Sequence, residues 1–226
     1  MPIGGIPKSV YGIPVPIYPP GIDLAKEART ARNRFYPVTI LYSGYALVFL
    51  ALGFRAAPVV ALGYLLLGSV LWTCLECLVH RGILHGRFPD GRQWLRHLLH
   101  RRFDRIHSEH HQRPWDGMHI NGRFDTLPFA VVFAALSLLA PLPTAPVLVA
   151  ALLQCYVIEE WVHYSVHFHT FHGRYFDYIR RHHLYHHCPR GREIAFGLTN
   201  GAWDVLLGTR IPAADRKLLY HRRAAA

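Results

Sequence analysis

The stretch PVVALGYLLLGSVLWTCLECLVHRGILH, residues 58–85, carries a single charge, Glu76, until it ends on His80, Arg81 and His85. A helix needs about 20 predominantly apolar residues to cross a bilayer, and Pro58 to Val79 supplies them. A hydrophobic span whose end is marked by histidines reads as a membrane helix delivering ionisable side chains to the water boundary, where such groups are functional candidates. Two more runs repeat the theme: Val38 to Phe54, and Leu127 to Ile158, which holds no charge at all. A hydrophobic content of 51% agrees with a membrane protein rather than a soluble domain.

The third run passes through Pro141-Leu-Pro-Thr-Ala-Pro146. Proline removes a backbone donor and clashes with the preceding turn, so this run reads as two helices joined by a hairpin. The second arm continues past Glu159 and Glu160 to His167. The expected fold is an all-α integral membrane protein with four membrane helices, the second pair short and shallow or tilted, under a helical cap.

Positive charge fixes the expected orientation. Five Lys or Arg residues precede Pro37, nine lie in 81–126, ten follow His167, and only Arg55 lies elsewhere. By the positive-inside rule the termini and the 81–126 segment face the cytoplasm, in a bacterial inner membrane or the endoplasmic reticulum. The net charge of +11 is then a membrane-side feature, and a nucleic-acid partner, which would require a basic face on a soluble fold, is excluded by the spans. The first 22 residues hold six prolines and no basic segment of the secretory type. They read as an extended arm, followed by a short interfacial helix over Asp23 to Arg34 with Asp23 as its N-cap. The expected division is 1–37 for the arm and interfacial helix, and 38–226 for the membrane domain, its cap made of 81–126 and 168–226.

Cys74, Cys77, Cys155 and Cys188 form no disulfide pattern and read as packing residues. Cys188 alone adjoins a histidine motif.

The chain has 17 histidines, and their spacing is more informative than their number. His107-Ser-Glu-His110-His111 and His183-Leu-Tyr-His186-His187 are both HxxHH, which on a helix places three rings on one face. Two such faces can converge on a metal. His163 and His167 form an i, i+4 pair at the end of the fourth helix. His80 and His85 are five apart, and on an ideal helix their rings would diverge by about 140°, so the helix must end or distort near Gly82. These ten histidines are too many for one ion and suit two, each with about five ligands, since neutral imidazole binds iron and zinc. His97, His100, His119, His169, His172, His182 and His221 share no such spacing, although His182 also lies four residues before His186. Glu76 lies one turn before His80, and Glu159 and Glu160 one turn before His163. Carboxylates so placed are candidates to orient a ligand ring or offset metal charge.

Between the first two motifs, Trp94, Leu95, Leu98, Leu99, Phe103 and Ile106 fall near one helical face, with Arg92, Arg96, Arg101, Arg102 and Arg105 around the rest. That is a basic amphipathic helix for the membrane interface.

With these motifs in order, the chain resembles the fatty acid hydroxylase and sterol desaturase superfamily, and within it the fatty acid 2-hydroxylases, from about Leu71 to Pro212. The resemblance rests on Glu76-Cys-Leu-Val-His80-Arg-Gly-Ile-Leu-His85, with four residues between the histidines. It rests also on His107-Ser-Glu-His110-His111 followed by Pro114-Trp-Asp-Gly117, on His163-Tyr-Ser-Val-His167-Phe168, and on His182-His183-Leu-Tyr-His186-His187. The 51 residues between His111 and His163 leave room for a hairpin, and Phe196 to Thr209 looks like the family's closing segment. The resemblance implies that the ten histidines bind two iron ions and that the enzyme uses O₂ and two electrons to hydroxylate a lipid acyl chain, at C2 of a free or lipid-linked fatty acid. Zinc binds imidazole more tightly than ferrous iron and is expected to occupy the site in some preparations. Eukaryotic members often carry a fused cytochrome-b5-type domain, for which the proline-rich arm has no room, so a separate donor is expected, cytochrome-b5-like, a ferredoxin or similar. A basic cytoplasmic face would suit an acidic donor.

Two other readings use the same residues. One changes the substrate to a sterol or carotenoid, or the outcome to desaturation, against which the four-residue first gap argues. The other is a non-enzymatic zinc-binding membrane protein, and a transporter of that kind would need polar groups deep in the spans.

Overall fold

A computed structural model describes residues 9–10, 13–14, 19–86, 93–120, 125–140, 142 and 144–221. Most of the proline-rich arm, Pro141 and Pro143 of the hairpin, and Arg92 of the amphipathic segment lie outside the described residues. Within the arm, β1 (Ser9–Val10) and β2 (Ile13–Pro14) pair antiparallel. Helices make up the rest of the regular structure among the described residues.

Helix α1 spans Leu24–Ala56. Asp23 caps it, its side chain accepting from the Lys26 N–H at 3.0 Å. The interfacial helix expected over Asp23 to Arg34 is not a separate short element, because α1 continues through Pro37 into the first span. Proline lacks the N–H that would reach back one turn to Asn33, and Asn33 is exposed, so water can satisfy its carbonyl.

After one residue, α2 (Pro58–Val79) returns and passes into a π-helical turn at His80–Leu84. The chain then enters α3 (Trp94–Leu99), a second π turn at His100–Asp104 and α4 (Arg105–Gln112). Trp94, Leu95, Leu98 and Ile106 are all exposed along this segment, as an interfacial surface requires.

The hairpin is unequal. Helix α5 (Leu127–Leu139) has 13 residues and reaches about 20 Å at 1.5 Å per residue, short of a hydrocarbon core of about 30 Å. Helix α6 (Ala145–Phe168) has 24 residues and continues past Glu159 and Glu160 through His167, as its sequence suggests, so only the first arm is short. Among the described residues three helices are long and apolar enough to cross a membrane: Leu24–Ala56, Pro58–Leu84 and Ala145–Phe168.

Helix α6 is the central element, packed against α1, α2 and α5. Phe35, Val38 and Tyr42 of α1 meet Ala130, Tyr156 and Val157 in one buried cluster, with Trp72 and Trp161 at its edge. Against α2 the approach is closer. A Cβ on Gly68 would stand 2.7 Å from the Ala151 Cβ, the close contact between small residues that membrane helices use in place of hydrophobic drive. The outward faces stay apolar, with Leu47, Val59, Val70 and Leu139 each more than 60% exposed, as lipid contact demands.

Helices α2 and α6 both end toward the same side, and both end in histidines. There α7 (Arg174–His186), α8 (Ala202–Leu206) and α9 (Ala213–His221) complete the fold. Val162 and Val166 of α6 pack on Ile179 and Leu184 of α7, which carries the last HxxHH motif beneath the other three.

Candidate metal centre

The π turn at the end of α2 resolves the five-residue spacing. The His85 N–H bonds the His80 carbonyl at 3.0 Å, an i→i+5 bond that widens the turn. The two rings come to 5.1 Å between centroids instead of diverging.

The ten histidines singled out by spacing gather into two groups of five: His80, His85, His107, His111 and His186, and His110, His163, His167, His183 and His187. In each group the potential ligand atoms all lie within 4.8 Å of one another. The HxxHH triplets do not each serve one centre. His107 and His111 join the first group while His110 joins the second, and α7 does the reverse, giving His183 and His187 to the second group and His186 to the first. Helical geometry explains the split, since residues i and i+4 differ by about 40° around the axis whereas i+3 lies on the other side of i by about 60°.

The contacts are made through Nε2. His85 lies 2.9 Å from His107, 3.1 Å from His111 and 3.0 Å from His186. In the second group His163 lies 3.1 Å from His110 and from His167, and His183 lies 3.1 Å from His167 and 3.0 Å from His187. Two nitrogens each about 2.1 Å from a common ion and at right angles to each other would be about 3.0 Å apart. Lone pairs at that spacing fit metal ligation, and five donors exceed the four of a tetrahedral structural zinc site.

Ring tautomers agree. His80 donates Nδ1–H to the Phe196 carbonyl at 2.6 Å, and His186 donates Nδ1–H to the Ile194 carbonyl at 2.8 Å. Each therefore turns a bare Nε2 toward its group. Burial, reinforced by neighbouring rings, holds His107, His110, His183 and His187 well below the usual histidine range. Burial likewise brings His85 to about 3 and His186 to about 4. Neutral imidazole is the ligating form, so the residues fit two ions of the kind that imidazole binds. His85, His111 and His187 are half-buried, which leaves the groups open on one side.

The carboxylates behave differently from the expectation drawn from their spacing. Glu76 does not touch His80; it accepts the Thr199 N–H at 3.0 Å and the Thr199 hydroxyl at 2.7 and 2.8 Å. Its reach is thus to the segment whose Phe196 carbonyl orients His80. Glu159 accepts the Trp72 indole N–H at 2.8 Å. Neither these two nor Glu160 enters a histidine group.

His182 also stands apart. Its Nε2 donates to Asp204 Oδ2 at 3.0 Å and its Nδ1 pairs with the Tyr220 hydroxyl at 3.2 Å. His119 is held between Glu109 and Asp116, each 3.0 Å away, and His169 packs on His172. Cys188 bonds the Leu184 carbonyl, and burial pushes its thiol up to about 11, an inert state.

Asp204 was missed as a functional position. It is completely buried. Burial raises its pKa, but bonds from His182, Thr209 and Gly197 outweigh that and hold it below the usual range. The sequence signal was a lone acid inside the apolar run Ala-Trp-Asp-Val-Leu-Leu.

Residues 65–209 match the family model described as fatty acid hydroxylase. The fatty acid 2-hydroxylase of Rattus norvegicus is 34% identical over 167 residues, 70% of this chain and 42% of its own length. The dihydroceramide fatty acyl 2-hydroxylase FAH2 of Arabidopsis thaliana is 31% identical over 160 residues, 66% of this chain and 62% of its own length. The chain thus spans less than two thirds of either relative. A structure of full-length Scs7p, in which only the hydroxylase domain is visible, superposes with a TM-score of 0.65 at 22% identity, over 79% of this chain and 67% of that one, and so shares the fold. With the family model covering well over half of its length and both HxxHH motifs inside the match, the chain belongs to the fatty acid hydroxylase family.

Proposed function

We propose that this chain is a membrane di-iron monooxygenase that hydroxylates a lipid acyl chain at C2 of a free or lipid-linked fatty acid. The observation that carries the reading is the division of ten histidines into two groups of five with Nε2 spacings near 3 Å. In the balanced reaction a C–H bond, O₂, two electrons and two protons give the alcohol and water. Two bound iron ions would supply the redox chemistry for O₂ activation, which redox-inert zinc in the same ligands would not. The ten histidines, His80, His85, His107, His111 and His186 for one ion and His110, His163, His167, His183 and His187 for the other, are assigned as the ligands.

The protein's own part is placement. Helices α2 and α6 carry four of the ten rings to the edge of the apolar layer, α4 and α7 close over them, and the half-buried His85, His111 and His187 mark the open side. Four membrane helices, with α5 shallow, and a cap of 81–126 and 168–226 facing the cytoplasm let an acyl chain approach from the bilayer while a separate soluble or membrane-bound donor reaches the same face. The exposed Trp94, Leu95 and Leu98 seat the cap in the headgroup region. The names of the rat and plant relatives favour C2 over other positions and acyl lipid over sterol.

The test is expression in a host that lacks 2-hydroxy lipids, with a donor co-expressed, and mass spectrometry of saponified fatty acids. Wild type should yield 2-hydroxy acids and His107→Ala none. Identical profiles from both would refute the reading, and a hydroxylated sterol or a new double bond would redirect it.

A further inference from the structure

The segment 194–209 meets the first histidine group twice, through the Ile194 and Phe196 carbonyls, and the buried carboxylate of Asp204 ties the stretch that carries them. Both oxygens of Asp204 are taken. Oδ1 accepts the Phe196 N–H at 2.8 Å and the Thr209 hydroxyl at 2.7 Å; Oδ2 accepts the Gly197 N–H at 3.0 Å and His182 Nε2–H at 3.0 Å. The knot closes on itself, with the Thr209 N–H returning to the Asp204 carbonyl and the Ala195 N–H to the Thr209 carbonyl, each at 2.8 Å. All four partners of the carboxylate, two backbone N–H groups and two side chains, are donors, and an ionised carboxylate accepts at both oxygens. An amide would turn its own N–H groups on two of them.

The backbone held in this way is under tension. Ala195, between the two carbonyls, has φ 59, a left-handed conformation that is strained for a non-glycine residue and persists only where its surroundings impose it. At Gly197 a Cβ would stand 1.8 Å from the Asn200 carbonyl oxygen, so the turn admits no side chain. Glu76 grips the far end through Thr199. In the second histidine group, Nδ1 of His110, His183 and His187 has no hydrogen-bond partner among the described residues.

We propose that Asp204 is the positioning residue of the first metal site. As a four-fold acceptor it fixes the 194–197 backbone, whose carbonyls aim His186 and His80, and it thereby sets the affinity of the group His80, His85, His107, His111 and His186 without touching it. The inference rests on the two-metal reading above. Removing a group that orients a ligand typically lowers metal affinity about 10–100-fold.

The test is a Co²⁺ titration of the full-length, metal-stripped protein in detergent, read by visible absorption, with thermal melting of the same samples. Wild type should take up two ions per chain. Asp204→Asn should keep one ion at wild-type affinity and bind the other about 10–100-fold more weakly. Adding His85→Ala to Asp204→Asn should spare the tight site, and adding His110→Ala should abolish it. Thr209→Val removes one donor and keeps the carboxylate; it should give the same one-site pattern with a smaller shift, and it decides the matter if Asp204→Asn does not fold. Two ions at wild-type affinity in both variants, or equal weakening at both sites, would overturn the proposal. A wild-type protein that binds no ion would overturn the two-metal reading and the inference with it.

Discussion

The rings of His111 and His187 stack with centroids 4.2 Å apart and planes at 25°, although His111 belongs to the first histidine group and His187 to the second. The two groups therefore share a wall. Each ring is also the last of an HxxHH motif, so the motifs bridge the groups as well as fill them.

One consequence concerns neighbours in sequence. His110→Ala and His111→Ala should each remove one ligand from a different ion, although they alter adjacent residues. Metal analysis should show one weakened ion in each variant and both weakened in the double variant. Hydroxylation should be abolished by either substitution alone, because a two-ion site fails as a unit.

The metal-free protein should be sensitive to acid. Burial, only partly offset by the bond to the Ile194 carbonyl, depresses His186 to about 4, against a reference of about 6.5 for the unfolded chain. Below about 6.5 the unfolded chain takes up protons that the folded ring refuses, so stability is full above that pH and falls as pH drops toward about 4. Melting temperatures of stripped protein should decline across that window, and those of metal-loaded protein should decline less at its upper end, where bound ions compete with protons.

At Ala195 the strained φ gives a sign test. Ala195→Gly should leave stability unchanged or raise it by about 1 kcal/mol, since glycine adopts this conformation without a Cβ clash. Ala195→Val should lower it by about 2 kcal/mol or more, a branched side chain being poorly tolerated at positive φ in a fully buried position. Thermal unfolding in detergent distinguishes the two.

The contact of α2 with α6 should tolerate nothing larger than glycine at 68. In Gly68→Val the Cβ alone would meet the Ala151 Cβ at 2.7 Å, which forces the helices apart and costs about 1–3 kcal/mol. Because His80 and His163 sit at the ends of these helices, metal affinity should fall together with the melting temperature.

Much of the site was legible because its information is local. The spacings 80/85, 107/110/111, 163/167 and 183/186/187 select the ten residues that the fold gathers, and the anomalous i, i+5 spacing required the distortion that the π turn at His80–Leu84 provides. Local information also misled. The helix over Asp23 to Arg34 reads as a short one, but a solvated Asn33 lets α1 continue through Pro37. The second π turn, at His100–Asp104, left no mark on the apolar pattern. The Glu76 contact to Thr199 escaped because the two are 123 residues apart, and no periodicity reports a bond closed only by the tertiary fold. Asp204 escaped although three of its partners lie 5 to 8 residues away, because they sit in irregular backbone that follows no spacing rule. His182 had the right spacing to His186 and still lies outside both groups, since its ring is claimed by Asp204.

The central claim is that two five-histidine groups insert oxygen from O₂ into an acyl C–H bond. Iron-loaded protein supplied with an electron donor, an acyl lipid and ¹⁸O₂ should yield a 2-hydroxy acyl product with one labelled oxygen atom, located beside the carbonyl by fragmentation in the mass spectrometer. An unlabelled hydroxyl, or no hydroxylated acyl chain from iron-loaded protein with two ions bound, would contradict it.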